Sequence, residues 1–530
     1  MKSSDHILIN MVQFKMMTIS QLINQQAQLT PNNTYVLEEA SGQLLTYESL
    51  LSSCAAVTQV IAAHGLQPGE TISIVMPNGL NTLRILLGAM WGGYCVNPVN
   101  LLSQPDQMRY VLEHSDCKLI MASPEWAEKL EEMLKGISRP IELLVTAETM
   151  EPLPGEIYSS TEQIEAFSKF IESQVAPQNP ALLMYTSGTT GVPKGVLLTQ
   201  AQLAHNALSI VAEHQLTEHD RVLAVLPLYH INAFMVTMLA PLVSGGSLAL
   251  VPRFSAAQFW NQASTMACSW INLVPTMVSY LIEHPAPPIS VTENIKFCRS
   301  ASASLPPEHL QGFEKKFGLS VIETMGLTET AAPAFSNPLN RSERKLGSVG
   351  KQTGCEARII DDQFNVVADG VTGEVAIKGN NVMAGYYKNP SATAATFTPD
   401  GWLRTGDLGH RDADGFFFIT GRIKELIIKG GENIAPREID EVLLRHPDVL
   451  DAASVGIPDK HYGQEIMVCI VLRPDRQTGE AEMRAFCDIH LGKFKSPKLI
   501  YFVSELPRGP SGKVQRLKLP EFIASAGLVV

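Results

Sequence analysis

Residues 185–195 read Tyr-Thr-Ser-Gly-Thr-Thr-Gly-Val-Pro-Lys-Gly, with an apolar run at 181–184 before them and another at 196–198 after them. Two short apolar runs around a Gly/Ser/Thr-rich segment predict strand, turn, strand. The turn is chemically loaded. Thr186, Ser187, Thr189 and Thr190 offer hydroxyls, Gly188 and Gly191 let backbone N–H groups converge, and Lys194 adds a full positive charge. Together these make a cradle for an oxyanion, and a triphosphate needs that combination. The nucleotide P-loop places Gly-Lys-Ser/Thr at the start of a helix. Here Pro193 stands before Lys194 and a strand-like run follows, so the phosphates are expected to meet a hairpin loop instead of a helix end.

The surrounding pattern fixes the fold class. Residues 72–76 precede an apolar helix around 83–90, residues 118–121 precede a charged amphipathic helix over 125–133, and residues 141–145 follow. Continuous apolar strands separated by helices indicate parallel α/β layers. The alternation resumes with strands expected at 221–226, 247–251, 270–274 and 295–298. Residues 151–180 are polar and punctuated by proline, which predicts a surface connection. From about residue 347 short β runs with Gly/Asp turns, such as 373–377 and 415–419, predict a smaller β subdomain. Beyond Arg422 a different unit begins. Pro436 opens a helix with Ile439, Val442 and Leu443 on one face, and strands at 467–472 and 499–503 bracket a helix near 483–489. The expectation is an α/β chain: a large layered N-terminal domain over 18–423 and a small, mobile α+β domain over 425–530.

Composition narrows the partners. The 530 residues carry a net charge of −12, which disfavours nucleic acid as the main partner. Eight scattered cysteines with no Cys-x-x-Cys pair and no His/Cys spacing read as reduced thiols of a cytoplasmic protein. The uncharged stretch 231–251 is interrupted by Asn232, Pro241, Gly245 and Gly246, so it reads as a buried helix, a turn and a buried strand, not a membrane span. The start shows no secretory signal, Met1, Met11, Met16 and Met17 are alternative translation starts, and the folded part is expected from about Thr18.

Seven further strings carry chemistry in chain order. Residues 226–232 read Leu-Pro-Leu-Tyr-His-Ile-Asn, and 300–304 read Ser-Ala-Ser-Ala-Ser. Residues 323–330 read Glu-Thr-Met-Gly-Leu-Thr-Glu-Thr, and 401–409 read Gly-Trp-Leu-Arg-Thr-Gly-Asp-Leu-Gly, followed at 421–425 by Gly-Arg-Ile-Lys-Glu. Residues 429–438 read Lys-Gly-Gly-Glu-Asn-Ile-Ala-Pro-Arg-Glu, and 507–515 read Pro-Arg-Gly-Pro-Ser-Gly-Lys-Val-Gln. A Thr-Glu pair by itself is a helix cap, a Gly-Asp is an Asx turn, and a lysine in a Gly/Pro loop is a surface charge.

Taken in one register, with the loop at 185–195, these strings resemble the acyl-adenylate-forming superfamily: acyl-CoA synthetases, peptide-synthetase adenylation domains and firefly luciferase. The resemblance runs over residues 19–519, and its closest texture is with oxalate–CoA ligase-like enzymes. It implies ATP, Mg²⁺ and coenzyme A, and it assigns roles. Thr186, Ser187, Gly188, Thr189, Thr190, Gly191 and Lys194 hold phosphate. Thr328 faces the α-phosphate and Glu329 gives Mg²⁺ a hard oxygen. Ser302, Thr324 and Met325 line the ATP site, with Met325 in place of the usual aromatic. Asp407 holds ribose, Arg422 contacts ribose or phosphate, and His230 borders the acyl pocket. Lys424 is the hinge, Gly430, Gly431 and Asn433 meet CoA, and Lys513 is the catalytic lysine. The implied activity is an ATP-dependent carboxylate–CoA ligase that forms an acyl-AMP, releases pyrophosphate and then makes the thioester. A ligase loading a carrier-protein phosphopantetheine is the alternative, and no carrier domain is fused here. Oxalate ligases of this kind have a histidine soon after the Thr-Glu pair. Residues 330–333, Thr-Ala-Ala-Pro, have none, which leaves the acid and the oligomeric state open.

Overall fold

The computed structural model describes residues 17–157, 159–186, 192–509 and 513–527. Ser187, Gly188, Thr189, Thr190 and Gly191 lie outside them. The first helix among the described residues, Ile19–Leu29, opens on a reciprocal cap in which Thr18 accepts from the Gln21 backbone and Gln21 returns the bond.

Two large sheets form the bulk. In the six-stranded sheet the order is Glu142–Val145, Leu119–Ala122, Thr71–Val75, Cys95–Pro98, Pro180–Thr186 and Lys194–Thr199. All neighbours are parallel except the last pair, a hairpin. In the nine-stranded sheet a parallel centre runs from Val321–Leu327 through Phe297–Ser300, Trp270–Leu273, Arg221–Ala224 and Ser247–Leu250 to Thr34–Glu38. Antiparallel strands close both of its edges. Every residue of Thr71–Val75, Leu119–Ala122 and Trp270–Leu273 is buried, because helices cover both faces of these parallel sheets. That is the reason their sequences read as unbroken apolar runs.

A four-stranded antiparallel sheet follows, in the order Glu356–Ile360, Gly373–Lys378, Leu403–Arg411, Phe417–Arg422. The last unit has its own sheet, built on the long hairpin Val449–Asp459 and Gly463–Leu472, and its own apolar cluster around Ile439, Leu443, Val468 and Met483.

One expectation fails. Residues 151–180 are not simply a surface connection, because they contain the helix Thr161–Gln174. Ser160 and Gln163 form its capping box, Ile171 is buried, and the Phe167 ring meets Trp91 edge-on at 5.5 Å. Ile164, Phe167 and Ile171 supply the apolar stripe. A second difference is local. The stretch from 231 forms a helix as expected, but Ala233–Leu239 is wound as a π-helix, a rare form that concentrates at functional sites.

Candidate active site

The carboxyl ends of the parallel strands in the nine-stranded sheet, the four-stranded sheet and the C-terminal unit enclose one cavity of about 320 Å³. Open α/β sheets place ligands at these strand ends. Ser302, Thr324, Met325, Asp407, Arg422 and Lys513 all line it. Residues far apart in sequence are thus brought to one place, and Lys513 arrives on a separate unit.

Local structure explains each position. Asp407 and Arg422 are direct partners across antiparallel strands, and this register makes their ion pair, Nε to Oδ1 at 2.7 Å. The second carboxylate oxygen of Asp407 is buried and has no partner among the described residues. Burial raises the Asp407 carboxyl from its ordinary value, while Arg422 and Lys513 pull it back. Lys513 keeps surface open to the cavity yet is enclosed by protein. That enclosure and the neighbouring Arg422 push its ammonium down to about 8, against the pull of Asp407, Glu329 and Glu425. It stays largely a cation at pH 7.

Thr324 and Met325 lie on the strand Val321–Leu327, which turns straight into the 3₁₀ helix Thr328–Thr330. Gly326 is required there. A Cβ would sit 2.0 Å from the Ala332 carbonyl oxygen of the returning strand. Ser302 holds φ +76°, a strained backbone for a non-glycine residue, of the kind that clusters at functional sites.

Thr186 and Lys194 form the last pair of the hairpin Pro180–Thr186/Lys194–Thr199, so the expected loop between two strands is present at its described ends. Lys194 and Glu329 do not line the cavity among the described residues, but one unforeseen residue joins them. The Tyr386 hydroxyl donates to Glu329 Oε1 at 2.8 Å, and Lys194 Nζ lies 4.8 Å from the centre of its ring. Tyr386 is held by a bridge to Val196, and the next residue donates its N–H to the Gly195 carbonyl at 2.7 Å. Burial, then Glu329, raises the phenol, so it remains a donor. The only sequence signal was an aromatic pair after glycine at 385–387.

His230 sits in the turn entering the π-helix, its N–H bonded to the Pro227 carbonyl at 3.1 Å. It is not among the cavity-lining residues. Lys424 falls in the 3₁₀ turn Ile423–Glu425, directly after the Arg422 strand. Gly430 and Gly431 have φ +57° and +85° and form the two-residue turn between Ile427–Lys429 and Glu432–Ile434. Positive φ at both positions is what a tight hairpin turn needs. Asn433 pairs with Ile428 in that hairpin, and all three lie away from the cavity.

Among the described residues no group of three or more His, Cys, Asp or Glu could hold a metal ion, and no helix is long and apolar enough to cross a membrane. All eight cysteines are free.

The chain is similar to known proteins over nearly its whole length. The model of the AMP-binding enzyme family matches residues 23–387, and that of the AMP-binding enzyme C-terminal domain matches 438–513. The sulfoacetate–CoA ligase of Cupriavidus necator is 52% identical over 95% of this chain and 97% of its own. The oxalate–CoA ligase of Arabidopsis thaliana is 35% identical over 87% and 90%. ATP-bound MatB from Rhodopseudomonas palustris superposes with a TM-score of 0.84 at 27% identity, covering 96% of this chain and all of that one. MenE from Bacillus subtilis in complex with ATP and a magnesium ion gives 0.80 at 29% identity, over 94% and 98%.

Proposed function

We infer the chemistry from one premise: the chain belongs to the AMP-binding enzyme family, and it is an ATP-dependent, AMP-forming carboxylate–CoA ligase. The acid is a short one, as in the sulfoacetate ligase of Cupriavidus necator. The observation that carries the residue assignments is the single cavity shared by Ser302, Thr324, Asp407, Arg422 and Lys513.

In the first step a carboxylate oxygen of the acid attacks the α-phosphorus of ATP. A P–O bond forms, the bond to the β-phosphate oxygen breaks, and pyrophosphate leaves. Asp407, with one oxygen on Arg422 and the other unclaimed, accepts from the ribose hydroxyls. Met325 and Thr324 support the adenine side, while Thr186 and Lys194 grip the departing phosphates, with Ser187, Gly188, Thr189, Thr190 and Gly191 completing the loop. Thr328 donates toward the α-phosphate. Lys513 offers its ammonium where negative charge gathers between carboxylate and phosphate, a preorganised electrostatic contribution.

Mg²⁺ fits this donor set. Glu329 has one oxygen on Tyr386 and the other to give, and a single carboxylate plus phosphate oxygens and water is how Mg²⁺ is usually held beside nucleotides. When bound, it neutralises the phosphate charge. Tyr386 orients the Glu329 carboxylate, and Lys194 is steered across the same ring.

In the second step the C-terminal domain, residues 425–530, turns about Lys424 relative to residues 18–423. Lys513 withdraws, and Gly430, Gly431 and Asn433 approach CoA. The thiol attacks the acyl carbon and AMP leaves. One pivot thereby serves two half-reactions. His230 flanks the acyl group. The free thiols suit a reducing, cytoplasmic setting.

The test is pyrophosphate release across short, dicarboxylic, aromatic and fatty acids, with and without CoA. Short acids are expected to lead by at least an order of magnitude in kcat/KM. A preference for aromatic or fatty acids would overturn this reading of the acid.

A further inference from the structure

Behind Ser302 lies a charge with no counter-charge. Arg299 is 1% exposed, on the strand Phe297–Ser300. One nitrogen, Nη1, donates to the Oδ1 atoms of Asn232 and Asn272, each at 2.8 Å. Nε has no partner. No carboxylate pairs with it among the described residues, unlike the fully buried Arg84, which meets Glu156, and the partly exposed Arg516, which meets Asp440. Burial alone lowers the Arg299 guanidinium to about 9, and no acid raises it back. It is still a cation at neutral pH.

An uncompensated buried charge is among the costlier features a fold can carry. Structure surrounds this one deliberately. Asn272 is the strand neighbour of Arg299 in register. Asn232 stands at the mouth of the π-helix and donates from Nδ2 to Ser302 Oγ at 3.3 Å. Ser302 is the strained serine of the cavity wall. Arg299, Asn232 and Asn272 stand behind the cavity wall and do not line it; the chain of contacts runs from the guanidinium through the Asn232 amide to Ser302, which does.

We propose that Arg299, held by Asn232 and Asn272, is the counter-charge for a second anionic group on the acid, a sulfonate or a second carboxylate at the end remote from the reacting carboxylate. Neutral amides hold the guanidinium without neutralising it, so the missing anion arrives with the substrate. A monoanionic acid of the same length leaves the charge unmatched and is discriminated against. The inference rests on the short-acid reading above and adds which short acids are taken and by what residue.

The test is acid-dependent pyrophosphate release by the full chain with sulfoacetate, malonate and oxalate against acetate and propionate. Wild type is expected to favour the two-charge acids, and Arg299→Met to reduce the ratio of kcat/KM for sulfoacetate over propionate about ten- to a hundredfold, the range of a charge-assisted contact. Arg299→Lys is expected to fall between, with the KM for ATP within about twofold of wild type in both. Asn232→Asp keeps the shape but supplies an internal carboxylate. It is expected to raise the melting temperature and to reduce the same ratio, and it decides the matter if Arg299→Met does not fold. An unchanged ratio in Asn232→Asp despite a raised melting temperature would show a purely structural arginine and overturn the proposal. A wild-type preference for acetate or propionate overturns it too while leaving the short-acid reading standing. A preference for fatty or aromatic acids removes both.

Discussion

Replacing Tyr386 by phenylalanine deletes one oxygen and leaves the ring. The lost contact is the 2.8 Å bond to Glu329 Oε1. Hydrogen bonds to charged groups contribute about 1.5–3 kcal/mol. Tyr386 is only half-buried, so the lower figure applies, and about 1.4 kcal/mol is a factor of ten. Tyr386→Phe is therefore expected to lower kcat/KM for MgATP in pyrophosphate exchange about tenfold. Tyr386→Leu also removes the ring that Lys194 approaches at 4.8 Å. An exposed cation–π contact contributes about 0.5–1 kcal/mol, a further two- to fivefold loss. Raising Mg²⁺ should recover part of the deficit in Tyr386→Phe, because the disordered ligand is Glu329. Thioester formation from supplied acyl-adenylate should be untouched by either change, since neither residue is needed once pyrophosphate has gone. Two results would refute the reasoning: a Tyr386→Phe enzyme with wild-type kcat/KM for MgATP, or an equal loss in both half-reactions.

Lys513→Ala should reduce pyrophosphate exchange about a hundredfold or more while sparing thioester formation from supplied acyl-adenylate, measured by single-turnover CoA consumption; equal loss in both steps would remove its assigned role. The pH profile of adenylation should carry the Lys513 titration: its pKa, about 8, lies below the ordinary lysine value, the ammonium is the active form, and so the rate holds below pH 8 and falls as pH rises through it. Lys513→Arg should move that falling limb upward, because an arginine stays charged there. Lys424→Pro fixes φ at the pivot and should slow thioester formation at least tenfold while leaving adenylation in place; a collapse of adenylation would mean the pivot lies elsewhere.

How much of this was legible in the sequence depends on how local each signal is. Asp407, Arg422 and Lys513 announce themselves because glycine-rich strings surround them, and one cavity gathers them. The parallel strands were legible because full burial leaves no polar alternation. The helix Thr161–Gln174 hides in a polar, proline-flanked stretch, although Ser160 and Gln163 spell its cap. Tyr386 was illegible for a different reason. Its role exists only because a bridge to Val196 sets it between Lys194 and Glu329, a pairing no local string encodes. Arg299 belongs to the same class: in sequence it is one arginine before a serine run, and only the register with Asn272 and the fold of the π-helix show it has no counter-ion.

Only Ile423 separates Arg422 from Lys424, and Arg422 is clasped to Asp407 across the strand pair. In the mechanism proposed above, the nucleotide's sugar anchor and the axle of the moving unit are therefore neighbouring cogs on one length of chain. Whatever tightens or slackens the grip at Asp407 is felt at the axle without any relay through the protein interior. On the proposed roles the nucleotide would act as a clutch: engaged, it would steady the strand from which the unit swings, and released as AMP it would free that strand for the next acid.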